Sequence, residues 1–168
     1  LRPDALKTNF GCAENVGGAT FSAVDAPFVV EHVDRALLYG KQIAKPVADP
    51  AAAGSAVAIV SAGRAHPGIK VDIVSPRGKA LPEGYVGEVA LHTPSRMAGY
   101  LHDKESSDRA LADGRLRTGD LAYQRGGELF WVGRLKERIT IRGKKLDPSE
   151  FERVLLGIPE LRAGCFAA

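Results

Sequence analysis

The most regular alternation of apolar and polar positions runs from Gly114 to Glu152, GRLRTGDLAYQRGGELFWVGRLKERITIRGKKLDPSEFE. Leu121–Tyr123 and Glu128–Val132 read as two short strands joined by the hairpin turn Gln124-Arg125-Gly126-Gly127. Gly133-Arg134 then interrupts the pattern. Ile139 and Ile141 alternate with Arg138, Thr140 and Arg142, which predicts a strand with one apolar and one mostly cationic face. Gly143-Lys144-Lys145 reads as the next turn. Asp147-Pro148-Ser149-Glu150 predicts a helix start, with an N-cap carboxylate, proline at the first helical position and a glutamate placed for a capping box. Phe151, Val154 and Leu155 share one face of that helix, and Gly157 with Pro159 ends it. Two polar clusters, Arg117–Asp120 and Arg134–Lys136, flank the hairpin and are expected close together at its base.

Upstream, three β-prone runs follow one another: Val57–Val60, Ile69–Val74 and Tyr85–Leu91. Turns at Ser75–Gly78 and Leu81–Gly84 separate them, and strands at this spacing suggest a small barrel or meander. Asp34–Tyr39 predicts one or two helical turns capped by Asp34 and stopped at Gly40. Asp103–Ala112 predicts a helix capped by Asp103, ending by Gly114, with a solvated charged face. Ala44–Ser55, rich in proline and alanine, reads as a loop. Near the start, Asn9-Phe10-Gly11-Cys12-Ala13-Glu14 fits a turn that brings a ring and a carboxylate to one side. It fits equally a strand end with a core phenylalanine and a surface glutamate.

Composition narrows the class. With 168 residues, 45% hydrophobic and 26% charged, the chain has the make-up of a globular domain. A net charge of +3 is too small to argue for a nucleic-acid protein. No apolar run approaches a membrane span, and Leu1-Arg2-Pro3-Asp4 does not resemble a signal peptide. Cys12 and Cys165 lack metal-ligand spacing and read as thiols in a reducing cytoplasmic setting. His66 and His92 are single histidines without partners in sequence, and Met97 and Tyr100 read as packing residues. The chain does not begin with methionine and reads as a section of something longer.

The ordered series TGD, G-E-L, G-R-x-K, I-x-I-R-G and P-x-E-x-E resembles the late core motifs of the acyl-adenylate-forming (AMP-binding) enzymes. These include acyl-CoA synthetases, fatty acyl-AMP ligases, luciferases and nonribosomal peptide adenylation domains. PGIKVDIVSPRGKALPEGYVGEVALHTPSRMAGY is similar to the family segment before TGD, and Phe10-Gly11-Cys12-Ala13-Glu14 to its aromatic-Gly-x-Thr/Ala-Glu segment. By that resemblance Phe10 stacks on adenine and Gly11 belongs to the same nucleotide-binding segment. Glu14 helps hold Mg²⁺ near the phosphates and counts as catalytic. Asp120 accepts hydrogen bonds from both ribose hydroxyls, a task suited to an ionised carboxylate. Arg134 contacts ribose or phosphate with its planar fork. Lys136 matches the catalytic hinge about which a mobile domain pivots.

The resemblance implies an α+β fold in three parts. Residues 1–55 would end the large ATP-binding domain, 56–132 would form a small β-barrel subdomain, and 133–168 would start the mobile α+β C-terminal domain. It implies ATP-dependent activation of a fatty acid to acyl-AMP with release of pyrophosphate, then acyl transfer to the phosphopantetheine thiol of an acyl carrier protein. Transfer to coenzyme A is the alternative. Ala13, where many members have threonine, and the long interval Phe21–Ser55 resemble the fatty acyl-AMP ligases. Neither the family's phosphate loop nor its C-terminal catalytic lysine falls within the sequence, so this section alone is not expected to adenylate. From Arg134 to Lys145 six cations face one acid, Glu137. That strip would steer an acidic carrier protein, or, read without the family, serve a non-catalytic basic binding module on phosphates.

Overall fold

The computed structural model describes residues 2, 4–50, 55–136, 139–141, 144–146, 151, 154, 155 and 158, with backbone alone for 139–141 and 144–146. One antiparallel sheet dominates. Its strands are β1 (Asn9–Cys12), β2 (Gly17–Phe21), β3 (Val30–Asp34), β4 (Ala56–Ala65), β5 (Lys70–Val74), β6 (Gly87–His92), β7 (Leu116–Arg125) and β8 (Glu128–Arg134). They pair in the order β1-β2-β4-β8-β7-β6-β5, with β3 on the first half of β4. Of the barrel or meander expected from the strand spacing, the meander is present, with β5 to β8 paired in chain order, whereas no barrel closes among the described residues: β1 and β5 stand at opposite ends of the pairing path. A separate two-stranded ribbon joins β9 (Ile139–Ile141) to β10 (Lys144–Leu146).

The central hairpin β7–β8 is longer than the alternation indicated, because it is buried on both faces. Leu121, Tyr123, Phe130 and Val132 pack with Val33, Leu38 and Ile59 in one cluster, whereas Ala122 and Leu129 pack with Phe10, Val89 and Leu91 in another. A strand covered on two sides loses its polar alternation, so Leu129 and Phe130 are consecutive buried apolar residues; Trp131 is the exposed member of the run. Gly133-Arg134 does not interrupt the strand as expected but completes it. Lys144 and Lys145 are paired in β10 rather than forming a turn. The turn at Ser75–Gly78 forms, closed by a backbone bond of 2.8 Å, while the turn expected at Leu81–Gly84 lies one residue later, with the Tyr85 N–H donating to the Pro82 carbonyl at 3.3 Å.

The first three strands carry little sequence signal. β2 begins with Gly17-Gly18, poor strand formers in isolation. Across the pair, the small size of Gly11 has a tertiary cause: a Cβ there would lie 2.5 Å from the Gly17 carbonyl oxygen. Only glycine lets β1 and β2 approach that closely.

Helix α1 (Arg35–Lys41) starts as expected, with the Asp34 carboxylate accepting from the Leu37 N–H at 2.9 Å. It does not stop at Gly40. Gln42 takes the left-handed conformation (φ 59°) and closes the helix, while Gly40 stays helical. Helix α2 (Lys104–Ala110) is capped by Asp103, which accepts from the Ser106 N–H at 2.9 Å. Its charges pair along the helix, Lys104–Asp108 at 2.6 Å and Arg109–Glu105 at 3.0 Å. Phe151, Val154 and Leu155 have helical backbone. The proposed cap at residues 147–150, the terminators Gly157 and Pro159, the side chains of the basic strip beyond Lys136, and Cys165 lie outside the described residues. Among the described residues no helix is long and apolar enough to cross a membrane.

Candidate active site

Thr118-Gly119-Asp120 forms a bulge in β7. Glu88 pairs with Leu121 and Ala90 with Arg117, so three residues of β7 stand opposite Val89 alone. The bulge is pinned from β6: the Glu88 carboxylate accepts from the Gly119 N–H at 3.0 Å and from the Arg117 guanidinium. Thr118 Oγ1 donates to the Val89 carbonyl at 3.1 Å and accepts from the Asp120 N–H at 3.1 Å. Gly119 has φ 75°, a conformation that glycine adopts without strain, and its carbonyl accepts from the Leu135 N–H at 2.8 Å.

Asp120 is 5% exposed, held by partners on β8. Arg134 stands directly across from it and donates Nε–H to Oδ1 at 3.1 Å. Trp131 Nε1–H donates to the same oxygen at 3.2 Å. Two residues three apart on a regular strand point to opposite faces. A register shift between Leu121 and Ala122 makes Trp131 rather than Val132 the partner of Ala122, and so restores Trp131 and Arg134 to one face. The two polar clusters flanking the hairpin do meet at its base, and Trp131 joins them.

Glu14 follows β1 on a single 3-10 turn (Ala13–Asn15). Its carboxylate accepts from the Tyr100 hydroxyl at 2.7 Å. That bond, then its own backbone N–H, holds Glu14 below the ordinary carboxylate range, with a smaller contribution from the charge of Arg134. The same bond pushes the Tyr100 phenol up to about 12. Tyr100 is therefore not the packing residue expected; it is 40% exposed and orients an acid. Cys12 lies within electrostatic reach of both Glu14 and Asp120, and burial pushes its thiol up to about 11, so it rests as a neutral thiol.

Lys136 is exposed and lines a cleft of about 800 Å³ with Leu135, Tyr100, Asp103, Arg117 and Gly119. Its charge helps lower Asp103, after the Ser106 backbone and side-chain bonds that dominate there. Gly11 is exposed at the start of the Glu14 segment. Phe10 is 7% exposed and packs in the core with Val89 and Leu91. The structure thus gathers Glu14, Asp120 and Arg134, sets Lys136 across the adjoining cleft, and leaves Phe10 beneath as a packing residue. His92, expected to stand alone, donates its Nε2–H to the Asp72 carboxylate at 2.9 Å on the β5–β6 edge, away from this group. Among the described residues no three His, Cys, Asp or Glu side chains cluster as a metal site.

A scan against protein-family profiles found no match. The fatty acid–[acyl-carrier-protein] ligase ScoC of Streptomyces coeruleorubidus is 38% identical over 100 residues, 59% of this chain and 19% of its own length. The putative acyl–CoA ligase YdaB of Bacillus subtilis is 38% identical over 101 residues, 59% of this chain and 20% of its own. A solved structure from work on fatty acyl-adenylate ligases of E. coli and L. pneumophila superposes with a TM-score of 0.89 at 33% identity, over 100% of this chain and 30% of that one. Its homologues and structural neighbours are ligases of the acyl-adenylate-forming type. The chain spans about a fifth of the length of these curated relatives.

Within the acyl-adenylate-forming ligases, the motif resemblance and the fold agree over this section. What motif reading missed were the groups that hold the named residues. Trp131 lies inside an apolar run, where alternation assigns no face. Tyr100 is separated from Glu14 by 86 residues. An aromatic residue beside Gly133-Arg134 was the one available signal for Trp131.

Proposed function

We infer that the protein carrying this chain activates a fatty acid with ATP, forming acyl-AMP and pyrophosphate, and passes the acyl group to the phosphopantetheine thiol of an acyl carrier protein. The observation that carries the reading is the buried Asp120 carboxylate, fixed by Arg134 and Trp131 at the base of the hairpin. A preorganised acceptor beside a permanent cation suits a sugar diol carrying a phosphate. In that reading Asp120 receives the ribose hydroxyls and Arg134 contacts ribose or phosphate. Gly11 keeps the neighbouring backbone open, and Lys136 lies at the hinge of the mobile domain. Phe10, buried as it is, supports the site from below and offers little ring surface for stacking.

Mg²⁺ is commonly held by one or two carboxylates together with substrate phosphates, so the single carboxylate of Glu14 fits that donor set. When bound, the ion would neutralise phosphate charge. This chain's own contribution is to hold Glu14 ionised and oriented through Tyr100, and to keep Asp120 shielded from water. The domain boundaries at 55 and 132 belong to the same proposal, as does a barrel completed outside the described strands. A cytoplasmic setting suits both acceptors.

The carrier-protein acceptor is favoured by the ScoC relative and by the fatty acyl-adenylate ligase structure. Coenzyme A is the second reading, favoured by the YdaB relative. The test supplies the full-length protein with Mg·ATP and a panel of fatty acids, follows pyrophosphate, and then offers coenzyme A or holo-carrier protein. Transfer only to the carrier is expected. Rapid acyl-CoA formation moves the assignment to an acyl-CoA synthetase, and absence of pyrophosphate release with every acid overturns the activity itself.

A further inference from the structure

Trp131 is 42% exposed, which is unusual company for a carboxylate that is 5% exposed. Its indole N–H and the Arg134 guanidinium both donate to Oδ1 of Asp120, at 3.2 and 3.1 Å. The Arg134 Nε–H holds Oδ1 from one direction. A second donor, from a ring carried on β8, holds the same oxygen from another and restrains rotation of the carboxylate about its Cβ–Cγ bond. The ring reaches Asp120 only because the register shift opposite Leu121 and Ala122 brings it to the same face. A regular strand would point Trp131 away.

We propose that Trp131 is a positioning residue for ribose recognition: its indole N–H locks the plane of the Asp120 carboxylate so that the diol of the nucleotide meets a preset acceptor. The inference rests on the reading of Asp120 as the ribose-binding acid. An indole N–H has no acceptor capacity and one donor, so it cannot compete with the ligand for hydroxyl protons. The ring also borders a hollow of about 470 Å³ lined by Val57, Ile59 and Val132 together with the polar Thr8, Asn9 and Ser61. That exposure lets the ring edge be altered without opening the core.

The test measures binding of AMP and of 2′,3′-dideoxy-AMP to the full-length protein by calorimetry, in wild type, W131F and D120A. Trp131→Phe keeps an aromatic ring and removes the donor. The Kd for AMP is expected to rise about three- to tenfold, with the Kd for the dideoxy nucleotide within about twofold of wild type. D120A is expected to abolish the preference for the diol. An equal weakening of both nucleotides in W131F would mean a merely structural role and overturn the proposal, as would an unchanged preference. A diol preference that survives in D120A would instead sink the reading of Asp120 on which the proposal stands. Should W131F fold poorly, benzothienylalanine at position 131 replaces the N–H by sulfur at nearly constant shape, and the same loss of diol preference is expected.

Discussion

Replacing Tyr123 with Phe isolates one hydrogen bond at the centre of the sheet. Tyr123 is 0% exposed and its hydroxyl donates to Glu31 Oε2 at 2.7 Å, tying β7 to β3. Arg125 Nε lies 2.6 Å from Glu31 Oε1 but off the N–H axis, an ion pair rather than an aligned hydrogen bond. Glu31 therefore depends on the phenol for its well-directed bond. Y123F keeps the ring and its stacking on Phe130, at 4.9 Å and 4°. Only the donor to a charged acceptor is lost, which costs about 1.5–3 kcal/mol. For a chain of this size that is a fall in Tm of roughly 3–12 °C. Urea unfolding followed by far-ultraviolet circular dichroism would show a lower midpoint at an unchanged slope. Burial and the Glu31 bond push the Tyr123 phenol far up, so its contribution is intact below pH 10 and declines above it. A loss under about 0.5 kcal/mol at pH 7 would refute the reasoning, since it would mean that water or Arg125 replaces the phenol without cost.

Three further outcomes are expected. Gly11→Ala forces a Cβ to 2.5 Å from the Gly17 carbonyl oxygen, so β1 and β2 must part, lowering stability by about 1–3 kcal/mol in a thermal melt. Asp120→Asn keeps an acceptor for Trp131 and Arg134 but removes the charge, and should weaken AMP binding about tenfold or more by calorimetry. Tyr100→Phe removes the bond that holds Glu14 low. Because the folded pKa lies below the unfolded 4.5, that stabilisation is present above about pH 4.5 and lost as pH falls through the folded value. The phenol, raised from 10.0 to about 12, contributes below pH 10 and ceases to above about 12. Wild-type and Y100F stability curves should therefore separate between these limits and converge outside them; parallel curves at every pH would show that the bond carries no proton linkage.

The parts legible in the sequence are those set by local chemistry. Asp34 and Asp103 announced their helices because a carboxylate before a helix satisfies an orphan N–H wherever the chain goes afterwards. The turn after Val74 and the β7–β8 hairpin were legible for the same reason. β2 and β3 were not, because Gly17-Gly18 is a poor strand former held in the sheet by its pairing with β1, and Val30–Asp34 is held by pairing along Ala56–Val60 of β4. The end of α1 was misplaced at Gly40, since Gln42 takes the left-handed conformation despite its side chain.

For the site, sequence alone determined which groups are available: two carboxylates at Glu14 and Asp120, a guanidinium at Arg134 and an ammonium at Lys136, in an order that marks the family. Tertiary structure decided how they are held. The bulge at Thr118-Gly119-Asp120 sits where Asp120 is buried, and a register shift of one residue carried Trp131 to its side. Pairing across 86 residues gave Glu14 its phenol. Residue type is carried by each position separately, whereas strand register and side-chain facing are properties of two segments at once, and no single segment encodes them.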